Sequence, residues 1–211
     1  MPSIEQKFKN IFKNNSWGGR SSISGRGSDP DQTQFIIKEI PFLFKDISVA
    51  TVLDIPCGDF HWMRNVDLSG IKYVGADIIE EIIENNKNKY EKENISFQLL
   101  DLTKDALPQV DLILIRDCLV HMSYDDIFKS LDNVCYSMSQ YLLTTTFTDR
   151  QDNNDIITGD WRTLNLQIAP FLFPKPIRII NEKCTQKKLS YADKSLGLWK
   201  ISDITKILKH E

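Results

Sequence analysis

No apolar stretch in this 211-residue chain approaches the ~20 residues that a membrane-spanning helix needs. The first ten residues, MPSIEQKFKN, hold no apolar run of the secretory kind. A cytoplasmic location is the expectation. Cysteine is scarce: the four, at positions 57, 118, 135 and 184, form no CxxC pair and no metal-ligand spacing. Disulfides and structural zinc are therefore not expected, and Cys118 and Cys135 should pack as small hydrophobes. Only nine glycines occur, and none follows a strand-like run in the G-x-G-x-x-G spacing that lets backbone amides approach a pyrophosphate. A basic stripe is missing as well. The net charge of −3 divides into +4 over residues 1–28, +5 over 175–211 and −12 between them. An acidic centre does not suit a nucleic-acid surface; basic flanks suit a phosphorylated small molecule or plain solvation.

What the chain does have is alternation. A first helix should start at Ser3, with Gln6 completing a capping box and Ile4, Phe8, Ile11 and Phe12 on one face. Residues 16–29, SWGGRSSISGRGSD, carry four glycines and five serines and read as a flexible loop. Asp29-Pro30 opens a second helix, which Pro41 should bend or stop. From residue 50 short apolar runs recur at 50–55, 71–77, 95–100, 111–116, 140–146, 176–182 and 196–201. Helical segments near 60–67, 79–92 and 124–138 separate the first five, and a short helix closes the chain. Strand and helix in turn imply right-handed βαβ units and a mostly parallel seven-stranded sheet with helices on both faces. One domain, 1–211, is expected: an N-terminal helical extension with its loop over 1–48, and a core over 49–211 holding a long irregular stretch at 148–175. Stretches of that length usually carry function.

In such a sheet ligands bind beyond the carboxyl ends of the strands. There the polar residues are Asp54 through Asp59, Asp77, Asp101 and the pair Arg116-Asp117. A carboxylate ending the second strand suits a ribose diol. Asp54 and Asp59 around a single glycine would repel a pyrophosphate but suit a ligand bearing an ammonium and a sulfonium. S-adenosylmethionine is such a ligand, and a nicotinamide dehydrogenase is disfavoured. VLDIPCGDFHWM resembles motif I of the class I, Rossmann-like methyltransferases, YVGADI their acidic second-strand motif, LLDLTKD their adenine segment and LILIRDCLVHMS their fourth-strand motif. More narrowly the chain is similar to small bacterial sugar and capsular-polysaccharide methyltransferases through SWGGRSSISGRGS, DIPCGDFHWM, RDCLVHMS, TTTFT and TGDWRTLNLQIAPFLFPKP. Pro56-Cys57-Gly58 departs from the usual glycine-rich turn. By the resemblance Asp54, Pro56 and Gly58 hold the methionine end of S-adenosylmethionine and of its product S-adenosylhomocysteine. Asp77 and Ile78 take the ribose, Asp101 and Leu102 the adenine, and Arg116, Trp17 and Arg26 complete the set, with residues 16–29 as a lid.

Methyl transfer requires alignment of the acceptor and, for a hydroxyl, a base. His121 and Asp117 are the candidates, four residues apart; His121 reads equally as a helix-capping or merely packed residue. His61 is weaker, and His210 is set aside. Asp160, Trp161, Arg162 and Asn165 combine an aromatic face with a guanidinium and polar ends, which suits a sugar; a core Trp and an Arg–Asp anchor fit equally. The reading is O-methylation of a sugar or sugar-nucleotide precursor of capsular or surface polysaccharide. Another small metabolite, or a non-catalytic cofactor-binding subunit, is the alternative. The expected partner is a small-molecule acceptor, with no nucleic acid and no membrane, and a homodimer as the candidate assembly. No metal is expected, although Asp149, Asp152 and Asp155 fall close together.

Overall fold

The computed structural model describes residues 3–208, so His210 lies outside the described residues. The chain divides into two compact units, Met1–Leu102 and Thr103–Glu211. The first opens with helix α1 (Ile4–Lys13), capped by Ser3, whose Oγ accepts from the Gln6 amide at 3.1 Å. The Gln6 side chain turns to Asn10 instead of back to the cap, so half of the capping box forms. Ile4, Phe8, Ile11 and Phe12 share one face and pack with Ile79 and Ile82. Helix α2 (Pro30–Asp46) starts at its proline but continues through Pro41. A proline inside a helix costs ~3 kcal/mol. Burial of Ile36, Ile40, Leu43 and Phe44 outweighs that, at ~1.5–3 kcal/mol per side chain.

Strands β1 (Thr51–Asp54), β2 (Lys72–Asp77) and β3 (Ile95–Leu99) pair in parallel, with helix α3 (Glu80–Tyr90) between the last two. The expected helix at 60–67 is a single 3₁₀ turn, Met63–Asn65. Phe60 explains the difference. Its backbone is left-handed (φ 56°), and its buried ring meets Tyr73, Tyr90 and Phe97 at centroid distances of 5.2–5.3 Å. Aromatic packing of this kind is worth ~0.5–1.5 kcal/mol per pair beyond burial, enough to override a weak helical pattern.

The second unit holds β4 (Leu112–Ile115), α4 (Tyr124–Tyr136), β5 (Tyr141–Phe147), β6 (Arg178–Asn181), the single turn α5 (Gln186–Leu189), β7 (Lys194–Lys200) and α6 (Ile201–Leu208). β4 and β5 run parallel, while β7 is antiparallel to both β5 and β6. β7 begins two residues earlier than the apolar run suggests, which brings Lys194 into the strand. The stretch 148–175 has no regular structure but is tied down. The Asn153 side chain donates to the carbonyls of Asn165 and Ala169, and Phe171 is buried against Tyr124 and Phe128. The described residues hold seven strands, most of them parallel, in the order β3-β2-β1 in the first unit and β4-β5-β7-β6 in the second. No helix of the described residues is long and apolar enough to cross a membrane.

Candidate active site

β1 and β2 carry Asp54 and Asp77 at their carboxyl ends, both buried. Asp54 accepts from the Tyr73 hydroxyl at 2.6 Å. Asp77 ties together the two turns that follow the strands: one oxygen accepts from the Gly58 amide (3.2 Å) and the other from the Ile79 amide (3.0 Å). Burial pushes the Asp77 carboxyl up to about 6, against the lowering effect of those amides. Gly58 has a left-handed backbone (φ 53°), its amide faces Asp77 and its carbonyl accepts from Asn86 at 2.7 Å. A Cβ there would meet Ser24 Oγ at 2.1 Å, so glycine is what lets the serine loop come this close.

That loop is not slack. Asp59 accepts from Ser22 Oγ, Ser24 Oγ and the Ile23 amide at 2.9–3.0 Å, and Asp29 accepts from the amides of Arg20 and Ser21. Glycine and serine lower its apolar content, but two carboxylates supply the anchors that composition does not show. Asp59 therefore serves the loop. Trp17 packs at a tilt against Phe8 (centroids 6.1 Å apart) and joins the α1 cluster together with Ile78, while the exposed Arg26 donates to the Gly18 carbonyl. Pro56 is partly exposed, Asp101 half-buried and Leu102 buried beyond β3.

In the second unit, β4 leads into a 3₁₀ turn, Leu119–His121, in place of a regular helix. Asp117 precedes it with a left-handed backbone (φ 52°), and its amide donates to Thr145 Oγ1 at 2.8 Å. Its Oδ2 lies 2.6 Å from Lys194 Nζ and 3.4 Å from Arg116 Nη1. Burial would raise this carboxyl; the two cations more than reverse that and hold it well below the ordinary carboxylate range. His121 is buried, and its Nδ1 lies 2.8 Å from the Asp160 carbonyl. A carbonyl accepts only, so Nδ1 carries the proton and Nε2 keeps its lone pair. Desolvation moves the imidazole below its ordinary value, opposed by the Asp160 hydrogen bond and by Asp117.

The four acceptor candidates separate. Arg162 is buried, and its guanidinium donates to the carbonyls of Leu119 (2.7 Å), Met122 (2.7 Å) and Asn154 (3.2 Å), closing the turn that bears His121. Asn165 is buried and donates to the Arg150 carbonyl while accepting from the Gln167 amide. Trp161 is 42% exposed, with its ring 5.0 Å from Tyr191 and 6.3 Å from Phe147. The Asp160 side chain is exposed.

Residues 52–139 match the family model described as a methyltransferase domain. The fold is that of a class I methyltransferase. Among solved structures the chain resembles the Burkholderia thailandensis 1,6-didemethyltoxoflavin-N1-methyltransferase (TM-score 0.64, 13% identity, 93% of this chain and 86% of that one). It also resembles magnesium protoporphyrin IX methyltransferase from Synechocystis (0.57, 11%, 78% and 81%) and human N-acetylserotonin methyltransferase (0.55, 13%, 90% and 65%). A search of curated proteins finds no match. The chain spans 65% of the bacterial CtHen1-CN methyltransferase domain and 59% of a Pyrococcus horikoshii protein to which it is also similar. Identities this low establish the methyltransferase fold; substrate is a property of the site and not of the fold.

On this methyltransferase scaffold the sequence reading missed several residues. Tyr73 and Asn86 sit within an apolar strand and a polar helix, with no local mark of their roles toward Asp54 and Gly58. Glu182 directly follows β6 and Lys194 opens β7, and neither stands in a pattern that marks it as part of a site. TTTFT, by contrast, carried a signal: Thr144, Thr145 and Thr146 are all buried, and each hydroxyl is hydrogen-bonded, to the Ile115 carbonyl and to the amides of Asp117 and Leu166.

Proposed function

We propose that the chain transfers a methyl group from S-adenosylmethionine to a hydroxyl of a sugar or sugar nucleotide, as in the assembly of capsular or surface polysaccharide. The observation that carries the reading is the imidazole of His121, fixed as the Nδ1–H tautomer by a main-chain carbonyl and kept neutral by burial. Such a group is a proton acceptor at ordinary pH. When bound, the cofactor supplies an electrophilic methyl group on a sulfonium. Asp54, Pro56 and Gly58 take its methionine end, Asp77 and Ile78 the ribose, and Asp101 and Leu102 the adenine, with Trp17, Arg26 and Arg116 in support. The fit rests on Asp77: a buried carboxylate raised to about 6 gains from the two hydroxyl donors of a ribose. His121 Nε2 takes the acceptor proton. Trp161, with Tyr191 beside it, offers the C–H face of a sugar an aromatic surface, and Asp160 supplies a polar edge; Arg162 and Asn165 shape the loop that presents them.

Calorimetry with S-adenosylmethionine, S-adenosylhomocysteine and NAD, followed by methyl transfer from labelled cofactor across nucleotide sugars, sugar phosphates and free glycans, tests the proposal. His121→Ala should keep cofactor affinity and lose ~10²–10⁴-fold in turnover. Because the neutral imidazole is the active form and desolvation lowers its titration, the acid limb of the rate profile should fall below the ordinary histidine value. Binding of NAD in preference to S-adenosylmethionine would remove the proposal, and near-normal turnover of His121→Ala would remove the base.

A further inference from the structure

Four ionisable side chains from the ends of three strands meet in the second unit. Arg116 Nη2 lies 2.6 Å and Lys194 Nζ 3.3 Å from Glu182 Oε2, and both cations also reach Asp117 Oδ2. The side chains of Arg116, Glu182 and Lys194 are at most 7% exposed, whereas that of Asp117 is 25% exposed. Two positive and two negative charges cancel. As a source of stability the arrangement is poor. Burying ions costs more than their attraction returns unless every polar atom is satisfied, and Glu182 Oε1 is buried with no hydrogen-bond partner among the described residues. What the arrangement does provide is a fixed anion. Both cations meet Asp117 on one oxygen, the Thr145 hydroxyl accepts from its amide, and its backbone is left-handed (φ 52°). The remaining oxygen, Oδ1, belongs to the one partly exposed member of the group.

We propose that Lys194 and Glu182 are positioning residues that hold Asp117 as a fixed anion, so that Asp117 Oδ1 orients the acceptor hydroxyl and His121 alone takes its proton. Lys194 acts directly on Asp117. Glu182 acts through Lys194 and Arg116, aligning both cations by accepting from them on one oxygen. Among the groups that face Asp117 are Arg116, Lys194, His121 and the Cys184 thiol, and among those that face His121 are Asp117, Arg162 and Lys194. None of them besides His121 is suited to accept a proton at neutral pH. The inference rests on the methyl-transfer reading for its kinetic consequence but not for its charge state, so the two can fail separately.

The test is the full chain with its aspartate γ-carboxyls labelled with ¹³C, titrated by NMR, and the same samples assayed for transfer. In the wild type the Asp117 signal, assigned through Asp117→Asn, should stay ionised throughout the titratable range. Lys194→Met should move its midpoint upward by more than one pH unit and lower kcat ~10–100-fold. It should also add a second acid limb to the pH–rate profile, while Lys194→Arg restores both the NMR midpoint and the single limb. Should Lys194→Met fail to fold because it strands a buried negative charge, Lys194→Met/Glu182→Gln returns the group to neutrality. That double variant should fold with the raised Asp117 midpoint, since Arg116 at 3.4 Å remains as the weaker partner. An Asp117 midpoint unmoved in the folded variants would overturn the proposal. So would a loss of rate that leaves the profile with its single limb and is not rescued by arginine. A wild type with no transfer activity but the expected NMR behaviour would overturn methyl transfer and leave the charge assignment standing.

Discussion

Asp77→Asn separates a buried anion from a merely buried polar group. In the folded protein the carboxyl rises from 3.8 to about 6, so the fold holds the proton more tightly than the unfolded chain does. Stability from this group is therefore complete below pH 3.8 and is lost as pH rises through about 6. At ~1.4 kcal/mol per pH unit the ionised form costs the folded protein about 3 kcal/mol at pH 7. Asparagine removes that cost but can accept only one of the two amides, Gly58 or Ile79, which now meet the two oxygens. The lost hydrogen bond costs ~1–3 kcal/mol at every pH. Below pH 4 the variant should be the less stable protein, and above pH 6 it should be equal to or more stable than the wild type. About 2.4 kcal/mol of that cost accrues between pH 4 and 7, and in a chain of 211 residues ~2–4 °C per kcal/mol makes the swing about 5–10 °C in Tm. Thermal denaturation of both proteins across that range measures it. A difference in Tm that stays constant from pH 4 to 7.5 would refute the reasoning, because Asp77 would then pay no desolvation cost as an anion. If the ribose diol meets this carboxylate, cofactor affinity should also rise with pH through about 6 in the wild type and be flat in the variant.

Gly58→Ala puts a methyl group 2.1 Å from Ser24 Oγ at a left-handed position, so the serine loop must withdraw from Asp59. Faster hydrogen exchange at the Ile23 amide is the expected result, and unchanged exchange would mean that the loop is held from elsewhere. Arg162→Met should lower stability by more than ~3 kcal/mol, since the carbonyls of Leu119, Met122 and Asn154 lose their donor together, and Arg162→Lys should not rescue it because an ammonium cannot span that fork. A variant with normal Tm and a raised acceptor KM would instead place Arg162 on the substrate.

The fold and the candidate site were legible in the sequence to different depths, for physical reasons that the individual residues show. Strands buried on both faces are apolar throughout, so LILI at 112–115 and YLLTTTF at 141–147 declare themselves, and any acid that ends such a run stands out. Asp54, Asp77 and Asp117 were visible for that reason. Local pattern fails where a distant ring or carboxylate decides the conformation. Phe60 turns left-handed to fill an aromatic cluster, Pro41 stays helical because four buried neighbours outweigh it, and the serine loop is ordered by Asp29 and Asp59.

Function inherits the same division. A guanidinium beside a tryptophan in a long loop reads as a ligand-binding pair, because the donors that fit a phosphate also fit three main-chain carbonyls, and sequence does not say which is nearer. Arg162 closes the turn, and the carbonyl of Asp160, whose side chain looked like the functional group, sets the tautomer of His121. The two lysine- and glutamate-bearing strand ends are the converse case. Read singly, Glu182 after β6 and Lys194 at the start of β7 stand in no pattern that marks them, and each would be an intolerable buried charge on its own. Only the antiparallel register, which sets Asn181 opposite Ser195, brings them together and within reach of Asp117 across 77 residues of chain. A buried charge that topology alone can neutralise is invisible to a reading made one segment at a time. It is also the feature whose removal distinguishes an anion that orients a substrate from an acid that accepts its proton.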